Sequence, residues 1–283
     1  MKTLSYIFVF LLSFTIASAQ SSAIKVEVSG SGDPILFLPG FTNPGSIFKE
    51  TAAHLAIQGQ NHFVSYAGFN NIPSIAMPWY DTLKEELISY VQANDLQNIT
   101  LIAHSMGGNL AVDLAAALPD QISSMILIDS LPCMRAVMMP GVTADKLQYD
   151  SPYNNQMLAM DAEQFKQSVS FMANNMTNDK EKVQTLVDWM LQADRKTYVY
   201  GYTDLLKLDL RPQLANITAK TLILGATFPT LEMAKATLQN QYDELPNKTI
   251  TMIPDSKHFI MFDQPELMYD HINTFLADEF HGN

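Results

Sequence analysis

Cysteine is almost absent: the 283-residue chain has one, Cys133. No internal disulfide is available, so the fold must be held by its core. The apolar neighbours of Cys133 read as those of a buried thiol. With Arg135 the one basic residue close by in sequence, they argue against a nucleophilic thiolate. Positive charge is also scarce. Lys and Arg number 17 against 29 Asp and Glu, a formal net charge of −12. Such a chain repels phosphate backbones, which argues against nucleic acid as a partner, and it disfavours anionic membrane surfaces. No His, Cys, Asp and Glu grouping has metal-ligand spacing, and no motif calls for a cofactor. Internal repeats and low-complexity tracts are missing. Beyond the first twenty or so residues, no apolar run approaches the ~20 residues a membrane span requires.

The N-terminus reads as a targeting segment. Met1-Lys2 is a short basic start, Leu4–Ile16 is mostly apolar, and Ala17-Ser18-Ala19 has the small-x-small pattern of a signal-peptidase site. Residues 1–19 are therefore expected to be a cleaved signal peptide, with Gln20 the first mature residue. The product is then secreted or periplasmic, with no stable span after cleavage. Its apolar core is short for a retained anchor. Sequons stand at Asn98, Asn175, Asn216 and Asn247 and matter only in a host that glycosylates.

Along the rest of the chain, short apolar runs alternate with helical patterns. Strands are expected at Ile24–Val28, Ile35–Leu38, His62–Tyr66, Ile99–Ala103, Met125–Ile128, Thr221–Leu224 and Thr249–Ile253. Helices are expected at Phe48–Ile57, Tyr80–Ala93, Gly108–Leu118, Leu231–Tyr242 and Pro265–Phe280. This alternation predicts an α/β fold, a mostly parallel sheet with helices on both faces. From Leu131 to about Arg211 strand signals vanish and helical ones remain. Asp161-Ala-Glu-Gln164 has the form of a capping box opening a helix to about Ala173, and Asp179–Ala193 reads as a second helix. The segment is thus a helical insertion after the Asp129 strand.

Parallel sheets place ligand sites at the carboxyl ends of their strands. Ser105, Asp129, His258 and the turn Pro39-Gly40-Phe41 all follow predicted strands closely. Ser105 lies in Ala103-His-Ser-Met-Gly107, close to the Gly-x-Ser-x-Gly turn that exposes a nucleophilic serine between strand and helix. Residues two before and two after such a serine must be small, or they collide with the turn. Ala103 adds a single methyl, Gly107 keeps the tighter position, and Gly108 gives further clearance. The alternative reading of Ser105 is an ordinary helix cap.

On these residues the chain resembles the α/β-hydrolase family, from Ile24 to the final helix. The resemblance is carried by Leu38-Pro-Gly-Phe41, Ala103-His-Ser-Met-Gly107, the Ile128-Asp129 strand end and Lys257-His-Phe-Ile260. It implies that Ser105 is the nucleophile and that the backbone N–H groups of Phe41 and Met106 form an oxyanion hole. It also implies that His258, after a late strand and before the last helix, is the base. His104 holds a position that is often histidine in the family without being the base. His54, His62, His271 and His281 lie elsewhere. The departure concerns the acid. Many members carry it after the strand placed here at Thr221–Leu224, but the loop Gly225-Ala-Thr-Phe-Pro-Thr230 has no carboxylate before Glu232. Asp129 is the preferred acid, which keeps the order Ser, Asp, His, and Glu232 is the alternative. Asp255 is too near His258 along the loop, and Asp263 reads as a cap for the final helix.

The resemblance further implies a core of residues 20–131 and 212–283 with a helical cap at 132–211. Met134, Met138, Met139, Met157, Met160, Met172 and Trp189 fall in that cap. They suit a small-molecule substrate with an apolar acyl or alcohol part, or else form the cap's own core. The expected activity is carboxylic ester hydrolysis through an acyl-enzyme. Amide or peptide hydrolysis and carbon–carbon bond hydrolysis on the same triad remain open, as does a non-catalytic ligand-binding protein of the same fold.

Overall fold

The computed structural model describes residues 22–281, so the proposed signal peptide at residues 1–19 lies outside the described residues. Elements follow in the order β1 (Ile24–Gly30), β2 (Pro34–Leu38), α1 (Lys49–Ala53), β3 (Gln60–Tyr66), α2 (Trp79–Ala93), β4 (Ile99–His104), α3 (Met106–Ala117) and β5 (Ile122–Ile128). Five helices come next: α4 (Met134–Met138), α5 (Pro152–Ala159), α6 (Ala162–Met176), α7 (Lys180–Gln192) and α8 (Arg195–Lys207). The chain closes with β6 (Lys220–Ala226), α9 (Leu231–Gln241), β7 (Lys248–Ile253), α10 (Ile260–Asp263) and α11 (Pro265–His281).

The seven strands form one sheet in the order β1-β3-β2-β4-β5-β6-β7. β1 pairs antiparallel with β3, and every other pairing is parallel. The interior strands are continuous apolar runs because helices cover both faces: every residue of β2 and β4 is buried. β1 sits at the edge and alternates with exposed polar residues. Register aligns the strand ends. Leu38 pairs with Ala103, Ala103 with Leu127, Ile128 with Leu224, and Ala226 with Ile253. The turns that follow therefore emerge side by side. The sheet class expected from the alternating pattern is the one observed.

Two local expectations are revised. The helix expected at Phe48–Ile57 is shorter, a 3-10 turn at Gly45–Phe48 followed by α1. Its end is set by tertiary contacts: the Asn273 side chain accepts from the Ala56 N–H at 2.8 Å and donates to the His54 carbonyl at 2.9 Å. The insertion also holds more helix than its sequence pattern shows. α8, for which the sequence pattern gave no bounds, contains Thr197, Tyr198, Val199, Tyr200, Gly201, Tyr202 and Thr203, residues of modest or poor helix propensity. Packing holds it: a Cβ on Gly201 would stand 3.0 Å from the Trp79 ring and 3.4 Å from the Phe41 ring. The capping box at Asp161 is present, with Asp161 Oδ1 accepting from Gln164 N–H at 2.8 Å and the Gln164 side chain accepting from Asp161 N–H at 3.1 Å.

The insertion is fastened to the sheet layer by Asp204 of α8. Its buried carboxylate accepts from the Trp79 N–H at 2.8 Å, capping the start of α2, and from the Tyr149 hydroxyl at 2.5 Å. Asp204→Ala strands a buried N–H and a hydroxyl, a loss of about 2 kcal/mol. Thermal unfolding followed by circular dichroism is expected to show a Tm lower by roughly 4–8 °C, with Asp204→Asn falling between the variant and the parent.

Candidate active site at the carboxyl edge of the sheet

Ser105 stands between β4 and α3 with φ 54° and ψ −124°, a conformation forced by the sharp strand-to-helix turn. The tightness is measurable at its neighbours. A Cβ on Gly107 would lie 2.0 Å from the Leu38 carbonyl oxygen, and one on Gly108 would lie 2.3 Å from Ser130 Oγ. Ala103 is fully buried within β4, and its methyl is accommodated there. The turn therefore tolerates alanine at the upstream position and requires glycine downstream.

Strand register brings the other groups to Ser105. His258, on the loop between β7 and α10, has Nε2 at 2.9 Å from Ser105 Oγ and Nδ1 at 2.6 Å from Asp129 Oδ2. The arrangement assigns the proton to Nδ1, donating to the carboxylate, and leaves Nε2 to accept from the serine hydroxyl. Asp129 has φ 43° at the end of β5, and its other oxygen accepts from the Ala226 N–H at 3.0 Å. Burial pushes the Asp129 pKa up. The hydrogen bond and charge of His258, with the Ala226 amide, outweigh it and hold the carboxyl below its ordinary value. Glu232 is exposed in the first turn of α9. Both ring nitrogens of His258 are already engaged, so none remains for Glu232.

Phe41 and Met106 flank the same point. A Cβ on Gly40 would be 3.1 Å from Ser105 Cβ, so the backbone entering Phe41 passes directly beside the serine. Met106 opens α3, where a first-turn N–H has no partner within the helix. The Gly40–Phe41 turn and the start of α3 therefore lie on either side of Ser105. The Phe41 ring packs against Phe69, Trp79, Tyr198 and Tyr202 at centroid distances of 4.9–5.7 Å. This aromatic box joins the Phe41 turn to α8.

Three supports escaped sequence reasoning. His104 is fully buried and its Nε2–H donates to the His258 backbone carbonyl at 2.9 Å. Burial, helped by the nearby His258 ring, lowers its pKa to about 3, so it is neutral in the folded protein. Asp263, expected to cap the final helix, instead accepts from Lys257 N–H at 2.7 Å, Thr177 hydroxyl at 2.5 Å and Asn178 N–H at 2.8 Å. It ties the His258 loop to the end of α6, as does the Phe259 N–H donating to the Met176 carbonyl at 3.0 Å. The Ala226 amide is the third. Each joins residues far apart in sequence, and no spacing or motif announces it.

The site opens into a pocket of about 370 Å³ lined by Ser105, Asp129 and His258 with Met134, Met138 and Phe228 among its apolar walls. Cys133 is buried nearby, its backbone bonded to the Gln241 side chain. His62 lies in β3, bonded to Tyr90 and Gln60, and His54 stacks on Tyr269. Among the described residues no group of three or more His, Cys, Asp or Glu is placed to hold a metal, and no helix is long and apolar enough to cross a membrane.

A family model described as the alpha/beta hydrolase family matches residues 35–271. The chain belongs to the alpha/beta hydrolase family. A relative, the pimeloyl-acyl-carrier protein methyl ester esterase of Aeromonas salmonicida (strain A449), is 24% identical over 265 residues, covering 90% of this chain and 100% of its own. Among solved structures, an esterase from Exiguobacterium antarcticum superposes with TM-score 0.73 at 19% identity, covering 91% of this chain and 98% of its own. A hydrolase from Oleispira antarctica gives TM-score 0.76 at 16% identity, covering 91% and 96%. At these identities the structural likeness establishes the fold of this hydrolase.

The state of His104 makes a pH prediction. Its ring refuses a proton that the unfolded chain binds below the ordinary histidine pKa of 6.5, down to about pH 3. The stability this contributes is complete above pH 6.5 and is lost on acidification toward pH 3, with a slope approaching about 1.4 kcal/mol per pH unit. His104→Gln, which keeps a donor toward the His258 carbonyl, is expected to flatten the acid limb by about one proton in urea-unfolding series across that range.

Proposed function

We propose that the protein is a serine hydrolase of carboxylic esters working through an acyl-enzyme. The observation that carries this reading is the continuous hydrogen-bonded chain Ser105 Oγ–His258–Asp129, at 2.9 and 2.6 Å, opening into an apolar pocket. Support for esters among possible substrates comes from the relative named a methyl ester esterase and from the structural neighbour titled an esterase.

In the proposed cycle the ester carbonyl sits over Ser105 with its oxygen toward the Phe41 and Met106 amides. His258 Nε2 takes the hydroxyl proton as Ser105 Oγ bonds to the carbonyl carbon. The amides stabilise the resulting oxyanion, a contribution of about 2.7–4 kcal/mol per donor in comparable sites. The C–O bond to the alcohol then breaks, and His258 returns the proton to the leaving oxygen. Water repeats the sequence on the acyl-enzyme, releasing the acid and restoring Ser105. Asp129 keeps the imidazole in the Nδ1–H tautomer and stabilises its cation. The reading of a binding protein without turnover drew on the missing carboxylate after β6. Asp129 reaching His258 from β5 removes that reason.

In this reading residues 132–211 act as the cap, and removal of residues 1–19 places the enzyme outside the cytoplasm. The test is fluorophosphonate labelling followed by an ester and anilide panel. Labelling is expected at Ser105 and absent in Ser105→Ala. Asp129→Asn is expected to lower kcat by about 10³–10⁴-fold, while Glu232→Gln leaves it unchanged. Absence of labelling overturns the serine mechanism. Turnover of anilides without esters overturns the substrate class. Loss of turnover in Glu232→Gln with survival in Asp129→Asn overturns the assignment of the acid.

A further inference from the structure

A second cavity, open to solvent on one side, lies among the helices of the cap, and Ser105 does not line it. Its volume is about 580 Å³, within the ~300–1,000 Å³ range of ligand pockets, and its walls include Met138, Leu147, Met157, Tyr198, Tyr202 and Leu206. Met138 also lines the pocket at Ser105, so one side chain faces both spaces. The rest of the partition is α4 and α8. Met134 and Leu205 face the serine side, while Tyr198, Tyr202 and Leu206 face the cap cavity. The Tyr202 hydroxyl contacts the sulfurs of Met134 at 3.9 Å and Met138 at 3.7 Å, weak bonds that latch the partition. Met138 is 56% exposed and unbranched, the kind of side chain that swings aside at little cost.

The cavity makes little demand for a polar ligand. Its buried polar side chains are already paired with each other: the Asn154 amide donates to Thr203 Oγ1 at 2.9 Å and to the Tyr149 carbonyl at 3.0 Å, and Thr203 donates to the Val199 carbonyl at 3.0 Å. Most of the remaining lining is aliphatic, thioether and aromatic, with Lys146, Gln148 and Ser151 as its other polar groups. The direction from Ser105 is also defined. His258 must protonate the departing alcohol, so the alcohol lies on the His258 side, where Phe228 and Pro229 form the wall. The acyl part extends away from His258. The Phe41 ring rests on Tyr198 and Tyr202 at 5.6 and 5.7 Å, the two residues that face the cap cavity.

We propose that the cap cavity is the chain-binding compartment of this enzyme. It takes the hydrocarbon tail of a medium- or long-chain acyl ester once Met138 swings aside, with a small alcohol on the His258 side. The proposal rests on the ester-hydrolase reading for its turnover arm, and a binding arm is independent of it.

The turnover arm measures kcat/KM for p-nitrophenyl esters from acetate to decanoate. The decanoate-to-acetate ratio is expected to exceed one in the parent. It is expected to fall by about tenfold or more in Leu206→Trp, which fills the cavity, and in Met138→Phe, which stiffens the partition. The binding arm titrates 11-(dansylamino)undecanoate into the Ser105→Ala protein and displaces it with methyl octanoate. Saturable binding is expected, weakened about tenfold or more when Leu206→Trp is added. A ratio unmoved by both substitutions overturns the proposal, and so does probe binding indifferent to Leu206→Trp. A protein whose Ser105 does not label, but whose probe binding responds to Leu206→Trp, retains the compartment and loses the ester-hydrolase reading. Labelling at Ser105 with a flat chain-length profile does the reverse.

Discussion

The contact between α3 and the end of β2 is the constraint on which the site depends. With 2.0 Å between a notional Gly107 Cβ and the Leu38 carbonyl oxygen, no side chain fits between helix and strand. That proximity lets α3 begin directly behind Ser105 and beside the Gly40–Phe41 turn. The serine is forced to positive φ, with the first turn of the helix on one side and the turn after Gly40 on the other. A methyl between α3 and β2 would push the start of the helix away from the Leu38 end of the strand. The geometry is therefore a consequence of close packing, and the backbone strain at Ser105 is sustained by the fully buried strands β2 and β4.

The imidazole is positioned by a different means. The His258 loop is anchored in the core by Phe259 and held besides by polar contacts from three directions. Asp129 grips the ring, His104 grips the backbone carbonyl, and Asp263 grips the amide of Lys257 while also binding Thr177 and Asn178. The last contact makes the insertion part of the site's support. The same segment that walls the pocket also fixes the loop carrying His258, so movement of α6 and its following turn is coupled to the ring. Phe41 provides the matching link on the other side through its box with Tyr198 and Tyr202. The helical segment thus touches both flanks of Ser105.

Much of this was legible in residue order. The central strands were readable because a parallel strand covered on both faces becomes an unbroken apolar run, as at Ile35–Leu38 and Ile99–Ala103. The capping box at Asp161 was readable because its partners lie three residues apart. The end of α1 was not, because it is set by Asn273 from the far end of the chain. α8 was not, because its Tyr-, Thr- and Gly-containing sequence has poor intrinsic helix preference and forms helix against Trp79 and Phe41. Asp263 looked like a cap because its position before Pro265 fits one. Its real partners lie in the turn after α6 and in the His258 loop.

Local chemistry and periodicity by themselves determined the sheet class, the edge on which Ser105, Asp129, His258 and Phe41 would meet, and the need for small residues around the serine. Those features follow from strand order and from sterics within a few bonds. Only the tertiary structure decided between Asp129 and Glu232 as the partner of His258. It also turned His104 and Asp263 into holders of the His258 loop and set a second cavity among the helices of the insertion, with Met138 lining both it and the pocket at Ser105. Each of these depends on distances between residues tens to hundreds of positions apart, which packing sets and spacing along the chain does not encode.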